Sequence, residues 1–309
     1  MLIVSLPPVH QEDLLKKIIT HPCVGAVRYN TGMGSAYPPS EVLQRIQKHA
    51  LPLCKPVWVD LKGKQLRVVE WANLPYGPIV LNHSIKVKLP ARVYFRGDDS
   101  CELKEVVNGT EIFVDPLPKA PVGRGQSVNI LSEKLEVEGG LLPLDYEYIE
   151  AALKEGVFNF MISFVEDWEN ILELEDVLGK YRSKVKICLK IESQAGLDFV
   201  NKKYVLMPKD YRLMAARDDL MIQIGVFNVM NALKTIIIKD PTAICASRLM
   251  LGLEKGEVSM SDISDLELMK KLGYKDFMLS DGISREHFEA AIQAWGEWKK
   301  CKGLKVGPD

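Results

Sequence analysis

Short apolar segments alternate with amphipathic segments along most of the chain. The first apolar run covers residues 2–6, and residues 11–20 follow it with apolar side chains at 14, 15, 18 and 19. The same succession recurs as an apolar run at 24–27, an amphipathic segment at 40–49 and an apolar run at 56–60. Continuous apolar strands joined by amphipathic helices are typical of a parallel sheet that is buried on both faces. The pattern therefore predicts an α/β fold.

The helical period disappears between about residue 65 and about residue 140. Residues 85–89 alternate between apolar and polar side chains, as in a half-buried strand. Residues 105–114 form two strand-like runs around Asn108-Gly109, and Asn-Gly is the strongest short signal for a β-hairpin. This stretch predicts a small all-β domain inserted into the α/β fold.

The α/β alternation then resumes. We predict helices at 144–155, 168–178 and 286–299, and strands at 158–163, 185–190, 211–216, 242–246 and 277–280. Three strands before the insert and five after it make the eight strands of a (β/α)8, or TIM, barrel. The predicted domains are a catalytic-type barrel at residues 1–64 and 141–309 and an inserted β-barrel lid at residues 65–140, after the third strand.

Composition and charge narrow the classes of function. Lysine and arginine number 40 and aspartate and glutamate 41, so the formal net charge is -1. This balance argues against nucleic-acid and membrane-surface binding, because either needs a basic face. The six cysteines are scattered without a C-x-x-C pair, which predicts the reduced thiols of a cytoplasmic protein. We expect no signal peptide and no membrane helix, since the amino terminus has no basic leader and no apolar run approaches roughly 20 residues.

Polar side chains follow the predicted strands at their carboxyl ends. In a (β/α)8 barrel this face carries the active site, so residues that are distant in sequence converge there. The insert leaves the barrel from the same face, at Lys62-Gly63, and we expect it to fold over the site as a lid. The residues at the strand ends are Arg28, Asn30, Asp60, Lys62, Lys190, Glu192, Asp219 and Ser247.

These residue types suit a metal ion beside a phosphate. Glu192 and Asp219 offer two hard oxygen ligands, and Mg²⁺ commonly takes one or two carboxylates while water and substrate fill its other positions. Lys190 is placed to stabilise a transferring phosphoryl group or an enolate oxygen, and Arg28 and Arg67 are candidates for phosphate. Each residue alone is more often a surface pair, a helix cap or a structural ion pair. Only their joint position at strand ends favours the functional interpretation.

Eight short blocks carry most of these residues, at 28–34, 60–67, 112–117, 127–131, 190–196, 216–224, 244–250 and 277–283. In this order they resemble R-L-N-F-S-H-G, D-T-K-G-P-E-I-R, I-x-V-D-D-G, G-V-N-L-P, K-I-E-N-x-x-G, A-R-G-D-L-G-I-E-I, I-C-A-T-Q-M-L and I-M-L-S-G-E-T, which are motifs of the pyruvate kinase family. Each match is weak alone. Their shared order and the position of the insert favour the family's barrel with its inserted lid.

The resemblance implies a glycolytic phosphotransferase that moves a phosphoryl group from phosphoenolpyruvate to ADP, giving pyruvate and ATP. It assigns the divalent cation, Mg²⁺ or Mn²⁺, to Glu192 and Asp219. It gives catalytic roles to Lys190 at the transferring phosphoryl group, to Ser247 in enolate protonation and to Arg28 at phosphate. The remaining cofactor-binding positions that it implies are Arg67 for nucleotide, Asn30 and Asp60 for potassium, and Asp115 in the lid block.

The chain departs from the family's motifs at several of these blocks. Asp218 stands where the family has a glycine whose backbone approaches the substrate carboxylate, and a negative side chain there should repel an anionic substrate. Gly32-Met33 replaces the serine and histidine of the phosphate and potassium loop, and Gln65 replaces a glutamate associated with potassium dependence. These two changes argue against potassium activation. Glu166 stands where the family usually has arginine.

The expected partners are small molecules: phosphoenolpyruvate or pyruvate, and ADP or ATP. We expect no nucleic acid and no membrane. Because the chain ends soon after the last predicted barrel helix, we expect the family's carboxyl-terminal regulatory domain to be missing with part of its tetramer interface, which leaves a homodimer open.

Two other functions fit the same residues. A metal-dependent aldolase or lyase acting through a pyruvate enolate would use a similar Glu and Asp pair without a nucleotide. A non-catalytic relative that binds a metabolite would explain Asp218 and Glu166. Function inferred from fold is associational, so both alternatives stand beside the phosphotransferase.

Overall fold

The computed structural model describes residues 1–96, 99–132, 134–204 and 210–301. The chain begins with three buried strands joined by two helices. Their bounds are β1 Leu2–Ser5, α1 Glu12–Thr20, β2 Ala26–Asn30, α2 Pro39–Ala50 and β3 Val57–Leu61. In α1 the apolar positions Leu15, Ile18 and Ile19 are buried against the sheet, as their helical spacing predicts.

Antiparallel strands occupy the predicted insert. They are β4 Ile79–Val80, β5 Ile85–Val87, β6 Ala91–Arg96, β7 Asp99–Val107, β8 Glu111–Asp115, β9 Asn129–Leu131 and β10 Leu135–Val137. Five of them form one sheet in the order β4-β8-β7-β6-β9, and β10 pairs with β5. The hairpin predicted at Asn108-Gly109 joins β7 to β8, and both turn residues have positive φ, 52° and 78°. We call this antiparallel unit the lid.

Five further strands complete the barrel after the lid. The elements are α3 Pro143–Lys154, β11 Asn159–Ile162, α4 Glu169–Leu178, β12 Lys186–Ile191, α5 Gln194–Lys202, β13 Tyr211–Ala216, α6 Arg217–Ile224, α7 Val229–Lys239, β14 Ile244–Ala246, α8 Met260–Leu272, β15 Asp276–Met278, α9 Asp281–Glu286 and α10 Phe288–Lys300. The predicted last helix at 286–299 corresponds to α10, and the short α9 that precedes it was not predicted.

The eight parallel strands close into a barrel in the order β1-β15-β14-β13-β12-β11-β3-β2. This confirms the predicted (β/α)8 barrel with an all-β insert after the third strand. The domain limits at 64/65 and 140/141 stay a proposal; the lid strands lie between residues 79 and 137. In the part of the chain that the structure describes, no helix has the length and apolar character needed to cross a bilayer.

Buried apolar side chains form separate groups that match the layers. One group lies between the barrel strands and the outer helices, and a second fills the lid. A third group fills the barrel interior and consists of Ile3, Ala26, Trp58, Met161, Cys188, Met214, Ile244, Ala246 and Met278. Because these residues block the barrel axis, polar groups at the carboxyl ends of the strands face a cavity beneath the lid.

Candidate active site

A cavity of about 220 Å³ lies at the carboxyl ends of the strands. The predicted site residues that line it are Arg28, Asn30, Arg67, Lys190, Glu192, Asp219 and Ser247. Its other lining residues include Lys62, Gln65, Ser127, Asp218, Ser280 and Asp281. Strand ends from six parts of the sequence therefore converge on one space, and the lid contributes Ser127.

Asp60 lies beneath this cavity as a buried anion. Its carboxylate accepts a hydrogen bond from Arg28 Nε at 2.9 Å and lies 3.2 Å from Lys62 Nζ and 3.5 Å from Lys190 Nζ. Burial alone would raise the pKa of Asp60, but the charges of Arg28, Lys190 and Lys62 hold it well below its usual range. Asp60 thus stays ionised and positions three cations around the cavity floor.

Lys190 is held by three groups at the end of β12. Its Nζ donates to Ser163 Oγ at 2.8 Å and lies 3.2 Å from Glu192 Oε1, in addition to the contact with Asp60. Burial would lower the pKa of Lys190, but Asp60 and Glu192 raise it above its ordinary value. The side chain is therefore a fixed cation that faces the cavity.

Glu192, directly after β12, and Asp219, in the first turn of α6, face the same cavity. Phe164 N donates to Glu192 Oε2 at 2.7 Å, and Asn129 Nδ2 of the lid donates to Asp219 Oδ1 at 2.8 Å. Burial raises the pKa of Glu192 to about 7, the charge of Lys190 lowers it, and Asp219 adds a further increase. Two adjacent carboxylates that lack full compensation fit a divalent cation, which would relieve this repulsion.

The donor set of such a cation would be incomplete without solvent or substrate. Within residues 1–96, 99–132, 134–204 and 210–301, no three His, Cys, Asp or Glu side chains are grouped to hold a metal ion by themselves. Mg²⁺ characteristically keeps several water ligands and binds through one or two carboxylates. The pair Glu192 and Asp219 therefore fits Mg²⁺ better than a metal that requires an all-protein cage.

Arg28 is engaged by two carboxylates, which the sequence did not predict. Besides Asp60, its Nη1 donates to Asp281 Oδ1 at 2.8 Å and to Ser5 Oγ at 2.9 Å, while Asn30 Nδ2 donates to Asp281 Oδ2 at 2.8 Å. Burial would lower the pKa of Arg28, but Asp281 and Asp60 raise it. Most N–H donors of the Arg28 guanidinium are thus used in hydrogen bonds within the protein. The signal for Asp281 was its position in the block 277–283, directly after a strand.

Arg67 lies over the loop that follows β2. Its Nε donates to Gln65 Oε1 at 3.0 Å, and a Cβ added at Gly32 would lie 2.8 Å from Arg67 Cζ. The guanidinium thus occupies the space that a serine side chain would need. Nearby, burial lowers the pKa of Lys62 to about 7 despite the opposing charge of Asp60. Gly32 and Gln65 are two positions at which the chain departs from the family motifs, and both are therefore packed against Arg67.

Asp218 turns toward Arg248 at the cavity wall. Its Oδ1 lies 3.4 Å from Arg248 Nη1, and 49% of its side chain is exposed. Its backbone N donates to Ser247 Oγ at 3.2 Å, and Ser247 has a φ of 58°. The carboxylate therefore adds negative charge next to Asp219, partly balanced by Arg248.

Asp115 lies apart from the other predicted residues. It ends β8 opposite Glu102 and lines a separate depression on the lid with Arg92. Asp115 is not among the described residues that line the active-site cavity, so the structure does not bring it to the other predicted site residues. The residues that sequence reasoning missed, besides Asp281, are Ser163 and Asn129, which hold Lys190 and Asp219 by hydrogen bonds.

Comparisons with known proteins show which family the sequence matches. The family model described as the pyruvate kinase barrel domain matches residues 86–266, which is more than half of the chain. The chain is 29% identical over 171 residues to "Pyruvate kinase 2" of Candida glabrata, a match that covers 53% of the chain and 33% of the relative. It is 29% identical over 223 residues to "Pyruvate kinase 1" of Saccharomyces cerevisiae, with 62% of the chain and 44% of the relative covered.

A third relative matches more of the chain. The "Pyruvate kinase" of Methanocaldococcus jannaschii is 25% identical over 251 residues, which cover 76% of the chain and 53% of the relative. The chain thus spans between about a third and about half of the length of these relatives. The matched family region includes β12, β13 and β14, from which Lys190, Glu192, Asp219 and Ser247 reach the cavity. The chain belongs to the pyruvate kinase family.

Proposed function

We propose that this protein is a divergent, metal-dependent phosphotransferase that moves a phosphoryl group between phosphoenolpyruvate and a nucleoside diphosphate. The observation that carries the proposal is the position of Lys190. Its Nζ is fixed by Ser163 and Glu192 and faces the cavity that Glu192 and Asp219 also line. A fixed cation in a cavity with two carboxylates that could hold a divalent metal supports phosphoryl transfer, which depends on positioning and on electrostatic stabilisation of the transferring group.

Each residue then has a role that its environment supports. Glu192 and Asp219 would hold Mg²⁺ or Mn²⁺, and the bound ion would supply positive charge to the phosphoryl oxygens. Lys190 would stabilise the charge of the transferring group from a fixed position, at no cost in reorganisation. Arg67 and Lys62 would bind phosphate oxygens beside it, since Arg28 is largely committed to Asp60 and Asp281.

Ser247 would assist proton transfer to the enolate. Its Oγ lies at the cavity wall, donates to Ala246 O at 2.8 Å and accepts from Asp218 N. If it turned from Ala246 O toward the enolate carbon, the hydroxyl could pass on its proton and would then be reprotonated by solvent water, because a peptide N–H cannot supply one. Asn30 would orient Asp281. Arg67 would also contact the nucleotide. Asp115 would have no role in the reaction, because it lies outside the cavity.

We propose that potassium is not required. The Arg67 guanidinium packs over Gly32 and binds Gln65, so a protein cation fills the region that the family motif equips with serine and glutamate side chains. Asn30 and Asp60, the residues proposed for potassium, instead bind Asp281 and three cations. A role in glycolysis, a cytoplasmic location and a homodimeric assembly stay predictions.

The experiment is a coupled assay on the full chain with phosphoenolpyruvate, ADP or another nucleoside diphosphate, and Mg²⁺ or Mn²⁺, with and without K⁺. We expect turnover that K⁺ does not change. Lys190→Met should reduce kcat by about 100-fold or more, the usual cost of losing one preorganised electrostatic group. The matched control is Lys104→Met, which removes an exposed lysine of the lid that pairs with Glu102.

Absence of turnover with every nucleoside diphosphate would overturn the proposal. The pyruvate-enolate aldolase or lyase is then the second candidate, and the capture of Arg28 by Asp60 and Asp281 favours it because fewer cations remain for phosphate. Metal-dependent exchange of pyruvate methyl protons without nucleotide would identify it. Calorimetry that finds no Mg²⁺-dependent binding of phosphoenolpyruvate, oxalate or nucleotide would instead indicate a non-catalytic relative.

A further inference from the structure

A second cavity, of about 410 Å³, lies between the lid and the barrel. Its lid side is apolar and includes Val128, Ile130 and Val137, while its barrel side carries Glu166, Asp198 and Lys64. None of the described residues that line it also lines the candidate active site. The chain therefore encloses two neighbouring but separate spaces under one lid.

The charge of the second cavity favours a cation. Ser193 Oγ donates to Glu166 Oε1 at 2.5 Å, and no other described residue donates to this carboxylate. Among the described residues that line the cavity, Lys64 is the single lysine; its Nζ lies 3.5 Å from Asp167, which partly neutralises it, and its remaining charge also acts on Glu166. A carboxylate opposite an apolar wall suits a ligand with a protonated amine at one end and an apolar body. The same charge disfavours the phosphates of a nucleotide.

The first link to the active site runs through Phe164. Phe164 is among the residues that line the second cavity, and its backbone N donates to Glu192 Oε2 at 2.7 Å. Phe164 also has a φ of 51°, an unfavourable conformation for a residue with a side chain. A ligand that packs on the Phe164 ring would therefore act on the backbone group that orients Glu192.

The second link crosses from the barrel to the lid. Gln223 lines the second cavity, and its Nε2 donates to Asn129 Oδ1 at 2.9 Å. Asn129 Nδ2 in turn donates to Asp219 Oδ1 at 2.8 Å. Both proposed metal ligands are thus connected to residues of the second cavity by hydrogen bonds, along independent routes.

We propose that the second cavity binds a small organic cation with an apolar body, of the primary amine class, and that its occupancy strengthens divalent metal binding by Glu192 and Asp219. A ligand that contacts both walls would stabilise the present position of the lid on the barrel, in which Asn129 of the lid and Phe164 of the barrel hold the two carboxylates. By linkage, the metal strengthens amine binding by the same factor. The coupling rests on the proposed metal site, whereas amine binding does not.

Calorimetry on the full, metal-free chain tests the binding step. The probes are 2-phenylethylamine, its neutral counterpart 2-phenylethanol and the anion 3-phenylpropanoate. We expect the amine to bind at least about tenfold more tightly than the alcohol, as for a charge-assisted hydrogen bond, and the anion not to bind. Glu166→Gln should abolish the preference for the amine, whereas Glu169→Gln, at an exposed position in the first turn of α4, should not.

A second variant distinguishes a loss of binding caused by a blocked cavity from one caused by unfolding of the chain. Ala195 lies at an exposed position of α5 and lines the cavity, so Ala195→Trp should block the space and abolish binding of both the amine and the alcohol while the melting temperature is kept. Equal affinity for amine and alcohol, or amine binding that survives both Glu166→Gln and Ala195→Trp, would overturn the proposal. Competition between the amine and ADP would overturn it too, since the cavity would then belong to the nucleotide.

Electron paramagnetic resonance of free Mn²⁺ tests the coupling. We expect saturating 2-phenylethylamine to tighten Mn²⁺ binding by about fivefold, a typical coupling between two sites. Gln223→Ala should reduce this factor while amine binding persists. If the chain binds the amine but no Mn²⁺, the proposed metal site fails and the amine site stands. If both ligands bind with no mutual effect, the coupling is refuted.

Discussion

At the scale of single residues, Asp218 departs from the family motif and places a negative charge where an anionic ligand would bind. It lies at the wall of the active-site cavity, next to Asp219, with Arg248 at 3.4 Å as its counter-charge. Asp218→Asn keeps the shape and removes the charge. We expect this variant to bind oxalate about fivefold more tightly in the presence of Mn²⁺, because a partly screened negative charge no longer repels the dianion.

Calorimetry measures the affinity for oxalate. Two further variants test whether the charge of Asp218 is the cause of the change. Arg248→Gln should weaken oxalate binding, since Asp218 then loses its counter-charge. Asp176→Asn, at an exposed position on α4 remote from the cavity, should change nothing. Unchanged or weaker oxalate binding by Asp218→Asn would show that the carboxylate assists the ligand instead of repelling it.

The positions of some site residues could be predicted from the sequence, and those of others could not. Lys190 and Glu192 lie at the end of β12 and Asp219 lies just beyond the end of β13; strand ends meet in a barrel, so their convergence could be predicted. The capture of Arg28 by Asp281 could not, because it depends on the side-chain geometry of β2 against the first turn of α9. Asp115 failed to join the cavity for a similar reason: motif similarity gives a strand, but lid orientation decides where its end lies.

At the scale of elements, the lid hairpin depends on glycine at position 109. Its φ is 78°, and a Cβ there would lie 2.4 Å from Ser84 Oγ. We expect Gly109→Ala to lower the free energy of unfolding by about 2–3 kcal/mol, from the left-handed backbone conformation and the contact with Ser84. Urea denaturation measures the loss, and hydrogen exchange in β7 and β8 locates it in the lid.

Gly156 supplies the matched control. Its φ is 73°, yet a Cβ there would meet no atom within 4 Å. Gly156→Ala should therefore cost only the backbone component, about 1 kcal/mol. Equal losses in the two variants would show that Ser84 moves aside and that the hairpin tolerates the contact.

Apart from β2, the barrel elements for which we predicted bounds lie within two residues of the structure, whereas in the lid β7 begins at Asp99, six residues before the run predicted at 105–114. The strand expected at 24–27 is β2 Ala26–Asn30, because Arg28 and Asn30 are buried by partners that the apolar pattern cannot reveal. The hairpin at Asn108-Gly109 was predictable because positive φ at both positions demands these residue types. The short α9 was missed because Ser280 caps it through Ile283 N, a signal too local for periodicity.

At the scale of the whole molecule, the barrel is closed where the first strand meets the last. β1 pairs with β2 on one side and with β15 on the other. Asp276, at the start of β15, accepts a hydrogen bond from Arg212 Nη2 of β13 at 2.7 Å and thereby spans β14. Burial would raise the pKa of Asp276, but Arg212 and the terminal amine of Met1 lower it. This ion pair ties the strands at the amino-terminal face of the barrel, opposite the active site.

Because the pKa of Asp276 is lower in the folded than in the unfolded chain, its contribution to stability is present above the unfolded value of about 4 and is lost as the pH falls through the folded value. Asp276→Asn should therefore reduce the free energy of unfolding by about 1–2 kcal/mol at pH 7, the range for a partly buried charged hydrogen bond. The difference between variant and native chain should begin to shrink below about pH 4, where the unfolded chain binds a proton at Asp276 that the folded carboxylate binds only at lower pH. Urea titrations at pH 7 and pH 3 measure the free energy of unfolding of both chains. The control is Glu102→Gln, which removes a carboxylate from an exposed pair with Lys104 and should change the free energy of unfolding little at either pH. A deficit that is as large at pH 3 as at pH 7 would mean that Asp276 stabilises barrel closure by packing and not by charge.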